Sequence, residues 1–469
     1  MQRKGQIVYP YIPNSVPETK QAMMKEIGIS DIMELYEREI PAELRFKEDM
    51  QLPEPIYDEY TIKRHTEKIL AKNKNCKDYL CFLGAGCAPH FVPAVCDEIN
   101  GRGEFLTAYV GESIADHGKW QALWEYCSLM AELCAMDVLS IPMYDGAQAA
   151  ASSIRMANRI NGRTKALIPE KMSPEILMVI RNYVNSMPAP DIELVTIKCD
   201  SMGRIDINDL QSKCSQDVCA VYIENPAYLG TIETRSQEIG TLAKEAGAEY
   251  IVYTDPISLG IIEAPANYGA TITCGDFHSL GIHLHAGGGQ GGFIAAPDDM
   301  KYIAEFKDLM FGITETIVEG EYGFGEVLYD RTSYGARDKA NEFTGTSTGL
   351  WAITAGVYLA LMGPKGMEEV GTTIMQKAQY AARKIGQIQG IEIKTNPPFF
   401  KEFVVNFDHT NKTVGEINQA LLNYKIFGGN DLSCEFPDLG QSALYCVTEI
   451  HSQEDIDQLC YALQGIVTC

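Results

Sequence analysis

Apolar positions in the first 75 residues recur at helical spacing but are too few to build a core. Met23 and Ile27 fall on one helical face, and Gly28 ends that pattern. A second short amphipathic stretch follows Ser30. Because little apolar surface is available here, the segment cannot stabilise itself by burial. We predict an N-terminal helical arm over residues 1–75 that lies against another surface.

From about residue 76 to 330, short apolar runs alternate with helical patterns. The strand candidates are residues 166–168, 192–198, 220–224, 250–254 and 270–274. Between two of them, a helix over Gln237–Ala246 is predicted to be capped by Ser236 and closed by Gly247. This alternation is typical of a mostly parallel sheet covered by helices on both faces. It predicts an α/β large domain over residues 76–330.

The alternation restarts on a smaller scale in residues 331–469. We predict a long helix over residues 365–387, a shorter one over 414–423, and strands at 391–394, 403–407 and 443–447. This order predicts a small α+β C-terminal domain.

Composition narrows the classes of partner and compartment. The 469 residues carry a net charge of −24, which disfavours nucleic acid as a partner because phosphate binding needs clustered Lys and Arg. No apolar run is long enough for a bilayer span, and the N-terminal MQRKGQIVYPYIPN lacks an apolar signal segment. The 14 cysteines are scattered without a CxxC pair. We therefore expect a cytoplasmic protein with reduced thiols and no membrane contact.

Polar residues follow several predicted strands, where ligands bind in open α/β sheets. Asn225 and Asp255 each precede a proline, and His278 ends a Gly-Asp-Phe-His segment. Asp145 and Gly146 begin a predicted helix. In the largest fold class of pyridoxal-phosphate enzymes, a helix N-terminus holds the phosphate and a strand-end Asp pairs with the ring nitrogen. The alternative for Asp255 is a turn residue before proline.

The lysine that such enzymes use to form a Schiff base is missing. It is expected some tens of residues after the Asp. No lysine occurs between Glu245 and Met300, and His278 takes the equivalent place. An imidazole cannot form a Schiff base. We expect no covalently bound cofactor in this chain alone and no catalytic residue of that type.

Short motifs along the whole chain resemble those of one family, the first subunit of the two-subunit glycine dehydrogenase (decarboxylating), or glycine-cleavage P-protein. They occur in family order from residue 11 to 449. The motifs are Tyr11–Asn14, Ile40–Arg45, Phe82–Gly86, Glu132–Val138, Met143–Gly146, Asp255–Gly260, Gly275–Gly281, Phe399–Phe403 and Thr448–Glu449.

The resemblance implies a pyridoxal-phosphate transferase fold of type I and a paired enzyme of the oxidoreductase class. A homologous second subunit holds the cofactor on its lysine, in a heterotetramer with two copies of each chain. Glycine loses CO2, and the aminomethyl group passes to the lipoyl arm of H-protein. The lysine-free subunit shapes the cleft, is inactive alone, and keeps Asp145, Gly146, Asn225, Asp255 and His278 as vestigial or interface positions.

One segment departs from the family pattern. Residues 110–118 read VGESIADHG where the family usually has TPYQPExSQG. Tyr109, Glu112, Ser113 and His117 are therefore the candidates for contact with substrate. Two alternatives stay open: a divergent subunit acting on another small amine, and a structural or regulatory partner without a catalytic contribution.

Two further motifs have plain interpretations. His283 and His285 could face the same side of an extended stretch, but two imidazoles without a third ligand predict a polar cleft lining and no metal site. The glycine-rich run 287–292 could cradle a phosphate, although it lacks the lysine of a P-loop. We favour a turn where the backbone passes close to a neighbouring subunit.

Overall fold

The computed structural model gives the positions of most of the chain. It describes residues 8–9, 11–48, 50–106, 117–185, 191–306, 310–328, 330, 332–342, 347–396 and 398–468. The chain divides into two compact units, residues 1–73 and residues 74–469.

Helices occur in both units, and all of the strands listed here lie in the second. The helices are α1 (Pro17–Glu26), α2 (Met33–Glu39), α3 (Glu59–Leu70), α4 (Ala94–Asn100), α5 (His117–Leu133), α6 (Gly146–Asn161), α7 (Pro174–Val184), α8 (Ile207–Lys213), α9 (Ser236–Ala246), α10 (Met300–Ile303), α11 (Ser333–Ala336), α12 (Gly349–Ile385), α13 (Val414–Leu421) and α14 (Gln453–Thr468). The strands are β1 (Leu80–Cys81), β2 (Val138–Leu139), β3 (Lys165–Pro169), β4 (Glu193–Ile197), β5 (Val218–Glu224), β6 (Glu249–Thr254), β7 (Ile272–Asp276), β8 (Gly292–Ala296), β9 (Met310–Glu315), β10 (Tyr322–Val327), β11 (Glu392–Ile393), β12 (Glu402–Asn406), β13 (Ile426–Phe427), β14 (Asn430–Asp431) and β15 (Ser442–Cys446).

The first unit is helical, as the apolar spacing predicts. Pro17 occupies the first turn of α1, where its fixed φ angle suits the helix. Asp58 caps α3 by accepting the Thr61 N–H at 2.7 Å. None of α1, α2 and α3 contains a buried residue. Packing within these helices therefore contributes little to their stability.

The large sheet of the second unit has the strand order β2-β8-β7-β6-β5-β3-β4. Strands β4, β3, β5, β6 and β7 run parallel, whereas β8 and β2 pair antiparallel at one edge. The central strand β5 is buried at every position, which explains its continuous apolar sequence. The predicted α/β class with a largely parallel sheet is confirmed.

A smaller antiparallel sheet follows, with the order β11-β12-β15-β14. Helices α13 and α14 and the end of α12 pack on it through a separate apolar cluster that includes Phe403, Ile417 and Leu459. This is the predicted α+β arrangement of the C-terminal region. The domain boundaries at residues 75 and 330 stay predictions.

Two helices begin earlier than the sequence pattern predicts. Ser236 is the first residue of α9 and not its cap, because its hydroxyl donates to the Glu233 carbonyl at 2.7 Å. Helix α12 begins at Gly349 and breaks at Gly363, whose φ is 58°, immediately before Pro364. Its first half is packed in the core of the large sheet, so apolar residues surround too much of it for one amphipathic face to be recognised.

The segment before β12 reaches the large sheet at the loop after β5. The Ile232 N–H donates to the Pro398 carbonyl at 3.0 Å, and the Phe400 N–H donates to the Gly230 carbonyl at 3.3 Å. Gly230 has a φ of 92°, and a Cβ there would overlap the carbonyl oxygen of Glu402. This close approach places residues 400–402 against the carboxyl ends of the parallel strands.

Within the part of the chain that the structure describes, no helix has both the length and the apolar composition for crossing a bilayer. The described cysteines are free thiols.

Gly230→Ala should destabilise the fold by about 3 kcal/mol or more, because the methyl group must displace the Glu402 backbone as well as strain φ. Gly287→Ala is the matched control: its φ is 93°, but nothing lies within 4 Å of the added Cβ. Its cost should be only the conformational one, roughly 1–2 kcal/mol. Urea denaturation measures both, and equal losses would show that the approach of residue 402 is unimportant.

Candidate functional site

The carboxyl ends of the parallel strands open into a cavity of about 340 Å³. Its walls come from the loops after β3, β5, β6 and β7, from the start of α6 and from residues 400–402. The charged side chains in this lining are Asp145, Glu175, Glu224, Asp255, Asp276, Lys401 and Glu402. Carboxylates therefore outnumber ammonium groups in the described lining, at the place where this fold class binds ligands.

Asp255, at the end of β6, is paired with Lys401. The Lys401 Nζ lies 2.6 Å from Asp255 Oδ2, and Oδ1 accepts bonds from Ser279 Oγ at 2.9 Å and from the Ile257 N–H at 3.2 Å. Burial alone would raise the pKa of Asp255, but the Lys401 ammonium beside it brings that pKa below its usual value. Burial would likewise lower the pKa of Lys401, and the same pairing raises it instead. The site thus holds a buried ion pair with both groups charged.

Two more side chains extend this pair into a row. His90 Nε2 lies 3.4 Å from the Lys401 Nζ, and His90 Nδ1 lies 2.9 Å from Glu449 Oε2. The other Glu449 oxygen accepts the Phe91 N–H at 2.6 Å. The row crosses from the large sheet to the segments around β12 and β15, so it fixes the position of the ammonium from both sides.

His278 lies beside this row and is electrically neutral. The residue is buried, and burial, together with the positive charge of Lys401, lowers the pKa of its imidazole to about 3. His278 is among the residues that line the cavity, and its buried Nε2 has no hydrogen-bond partner among the described residues. A neutral imidazole can exchange hydrogen bonds with a ligand, but it offers no amine for a Schiff base.

The start of α6 forms another part of the cavity wall. Asp145 caps the helix by accepting the Gln148 N–H at 2.7 Å, and the Gly146 N–H donates to Asp276 Oδ2 at 2.9 Å. Asp276 Oδ1 accepts the His278 N–H at 2.8 Å. The first amide of α6 is therefore already hydrogen-bonded to a carboxyl group of this chain. It lies at the helix N-terminus, where the helix dipole favours a negative charge.

Buried acids give the cavity groups that can exchange protons near neutral pH. Burial raises the pKa of Asp276 to about 7, even though backbone N–H groups partly stabilise its anion. Burial also raises the pKa of Glu224, at the end of β5, to about 7, and the Ser173 N–H donates to it at 3.2 Å. The pKa of Glu402 is raised for the same reason. Carboxyl groups of this kind are suited to proton transfer with a bound molecule.

The structure brings together four of the predicted strand-end and helix-start residues and leaves one apart. Asp145, Gly146, Asp255 and His278 line the cavity. Asn225 does not, because its amide nitrogen donates to Ser236 Oγ at 3.1 Å and its amide oxygen accepts the Glu233 N–H at 3.1 Å. Its side chain therefore joins the loop after β5 to the start of α9.

The cleft candidates chosen from the divergent segment lie outside this description. Tyr109, Glu112 and Ser113 are outside the described residues, and so is the side chain of His117, whose backbone begins α5.

The paired histidines and the glycine run have local roles. His283 Nε2 lies 2.9 Å from Asp97 Oδ1, and the His285 ring stacks on Trp351 with centroids 4.7 Å apart. Neither lines the cavity, and the described residues contain no group of three or more potential metal ligands. The predicted turn at the glycine run passes close to its own chain: a Cβ at Gly289 or Gly292 would overlap a backbone carbonyl, of His283 and Asp145 respectively.

Pyridoxal phosphate, which the resemblance implies for the assembled enzyme, does not fit these residues. Asp255 is engaged by Lys401, the helix N-terminus is engaged by Asp276, and no lysine stands in the loop after β7. Each of the three attachment points that the cofactor needs is lost or filled.

Sequence reasoning missed Lys401, the residue that controls Asp255. The available signal was its place inside the Phe399–Phe403 motif, one of the motifs behind the resemblance. Nothing in the spacing links that motif to the end of β6.

Lys401→Met should destabilise the protein by about 3–5 kcal/mol, because it leaves the Asp255 carboxylate buried without a counter-charge. Burial then raises the folded-state pKa of Asp255 above its unfolded value. The loss should therefore be greatest near pH 7 and shrink as pH falls towards 4, where the carboxyl is protonated. Urea titrations at several pH values measure this.

The double variant Lys401→Met/Asp255→Asn should recover most of the loss. Lys384→Met is the matched control, since its 3.2 Å pair with Asp457 is more than a third exposed on both sides and should cost less than about 1 kcal/mol. A loss for Lys401→Met that is equally small would contradict a buried pair.

Known proteins with similar sequences belong to one family. The family model of the glycine cleavage system P-protein matches residues 10–463. The probable glycine dehydrogenase (decarboxylating) subunit 1 of Staphylothermus marinus is 36% identical over 467 residues, covering 98% of both chains. Its counterpart in Pyrococcus horikoshii is also 36% identical, covering 97% of this chain and 99% of the relative.

Among solved structures, a protein of the same family matches nearly the whole chain. A crystal structure of glycine decarboxylase (P-protein) of the glycine cleavage system, in inhibitor-bound form, matches with a TM-score of 0.85 and 30% identity, covering 98% of this chain and all of that one. A sphingosine-1-phosphate lyase from Burkholderia pseudomallei matches with a TM-score of 0.65 at 13% identity, covering 91% and 94%. That second likeness speaks for the fold alone, and it agrees with the predicted transferase-like fold of type I. The chain belongs to the glycine cleavage system P-protein family.

Proposed function

We propose that this chain is the lysine-free subunit of a glycine dehydrogenase (aminomethyl-transferring), an oxidoreductase that releases CO2 from glycine. The aminomethyl group then passes to the lipoyl group of H-protein. The full-length match to proteins named as subunit 1 supports this proposal, as does the match to a P-protein structure over 98% of the chain.

Two observations together carry the proposal: Asp255 is paired with Lys401, and the loop after β7 contains no lysine. The family is dependent on pyridoxal phosphate, so the cofactor belongs to the system. A chain whose strand-end Asp already holds an internal ammonium cannot supply the cofactor site itself. We assign the cofactor to a homologous second subunit that carries the lysine, and we assign no catalytic residue to the cavity described here.

The partner is supported by the name subunit 1 among the relatives and by the surface of the first unit. Tyr11, Phe46 and Tyr57 are 97%, 83% and 85% exposed, which is unusual for large aromatic side chains. We propose that the arm of residues 1–75 contacts the second subunit in a heterotetramer with two copies of each chain. We also propose that the rest of the chain comprises a large domain (76–330) and a small one (331–469). The free thiols support a reducing, cytoplasmic location.

Reconstitution tests the proposal directly. The purified chain should release no CO2 from carboxyl-labelled glycine. Mixed with a homologous second subunit that carries the lysine, and with lipoylated H-protein, it should support glycine-dependent release of CO2. Omission of either subunit or of H-protein is the control. Decarboxylation by the isolated chain would refute the proposal, and release from another amine but not from glycine would favour the divergent-subunit alternative.

The divergent segment provides a second test. Alanine at Tyr109, Glu112 or His117 should lower kcat/KM of the reconstituted complex by roughly tenfold or more if these residues reach substrate. Glu238→Ala, on the exposed face of α9, is the control and should leave turnover unchanged. The absorbance of the cofactor and the elution volume of the complex report that assembly is intact. Unchanged turnover in all three variants would favour a structural or regulatory partner.

A further inference from the structure

The cavity contains a fixed positive charge at the point where a pyridoxal-phosphate ring would bring its own. In enzymes that bind this cofactor, a strand-end carboxylate pairs with the protonated ring nitrogen. Here the equivalent oxygen, Asp255 Oδ2, lies 2.6 Å from the Lys401 Nζ. The second oxygen is engaged by Ser279 and by the Ile257 N–H. The protonated ring nitrogen of the cofactor could not pair with this carboxylate, because the Lys401 ammonium already does.

The cavity also contains a carboxyl group of this chain at the point where the phosphate would bind. The N-terminus of a long helix such as α6 stabilises a phosphate through its free amides and its dipole. The Gly146 amide is donated to Asp276 Oδ2 at 2.9 Å, and the Gly291 amide lies 3.4 Å from Asp276 Oδ1. A phosphate would meet a carboxylate in its place, with Asp145 and Glu224 also in the wall.

We infer that this chain has replaced the cofactor with two of its own side chains, the Lys401 ammonium for the ring cation and the Asp276 carboxylate for the phosphate. Both side chains line one cavity, and each makes the contact that the corresponding cofactor group makes in this fold class. The loss of the lysine is therefore one of three changes. Restoring an amine at position 278 alone will not restore binding.

Both replacements lie within the single chain and do not depend on whether the assembled enzyme acts on glycine. A chain with these replacements should respond to a restored lysine differently from a chain that has lost the lysine alone. Were the absent amine the sole obstacle, the buried His278 that lines the cavity would be the place to restore it, because its Nε2 has no partner among the described residues.

The test compares His278→Lys with the triple variant His278→Lys/Lys401→Met/Asp276→Ser. Each is incubated with pyridoxal phosphate, whose aldehyde condenses with the introduced amine and releases water. Spectra near 420 nm and borohydride reduction followed by peptide mapping locate the adduct. His278→Lys should show no adduct at residue 278. The triple variant should bind pyridoxal phosphate roughly 100-fold or more tightly than His278→Lys does, because the cofactor no longer competes with buried charged groups of the chain.

Charge-preserving substitutions provide the control. His278→Lys/Lys401→Arg/Asp276→Glu keeps both internal charges and should bind no better than His278→Lys. The affinity for pyridoxal, which lacks the phosphate, should rise with Lys401→Met but not with Asp276→Ser. This difference tests the two replacements separately.

Stability can be used if the triple variant folds poorly. Pyridoxal phosphate should raise the melting temperature of His278→Lys/Lys401→Met, because a ring cation returns a counter-charge to Asp255, and should leave that of His278→Lys/Lys401→Arg unchanged. Stoichiometric binding by His278→Lys alone would overturn the inference. So would a folded triple variant that binds no better, or equal melting shifts in the methionine and arginine variants.

Discussion

The buried ion pair between Asp255 and Lys401 is the constraint on which the rest of the site depends. Each charge alone would be too costly to leave in a region with little access to water, so each is stable only because the other is present. The two residues come from different sheets, one at the end of β6 and one immediately before β12. The pairing therefore fixes the position of the small sheet relative to the cavity as well as the charge of the site.

Around this pair, burial shifts the pKa values of three other groups in the cavity. His278 loses its proton because its pKa falls to about 3, and Glu224 and Asp276 hold theirs more tightly because their pKa values rise to about 7. The pocket therefore lies where this fold class binds its cofactor, but the ionisation of its side chains is governed by burial. This agrees with the name subunit 1 that the relatives carry, which implies a second subunit.

Much of the fold followed from local pattern. The five parallel strands were located within a few residues because each is a short apolar run between helical patterns, and the lysine gap after Asp255 could be found without any structure. The direction of the Asn225 side chain could not be predicted, since it depends on Ser236 and Glu233 in the following helix turn. The role of Lys401 could not be predicted for a similar reason. Its contact with Asp255 depends on how the two sheets pack, and residue spacing along the chain carries no information about that packing.

The order in which the ribosome delivers these residues gives the ion pair a further consequence. Asp255 emerges roughly 150 residues before Lys401, an interval on the order of ten seconds at ordinary rates of synthesis. During that interval β6 can join its neighbours only with the carboxyl at its end hydrated or protonated. The carboxyl ends of the large sheet can therefore reach their final, paired state only after Lys401 has been made. A nascent chain that stalls before β12 would expose an incomplete cavity to the quality-control machinery of the cell.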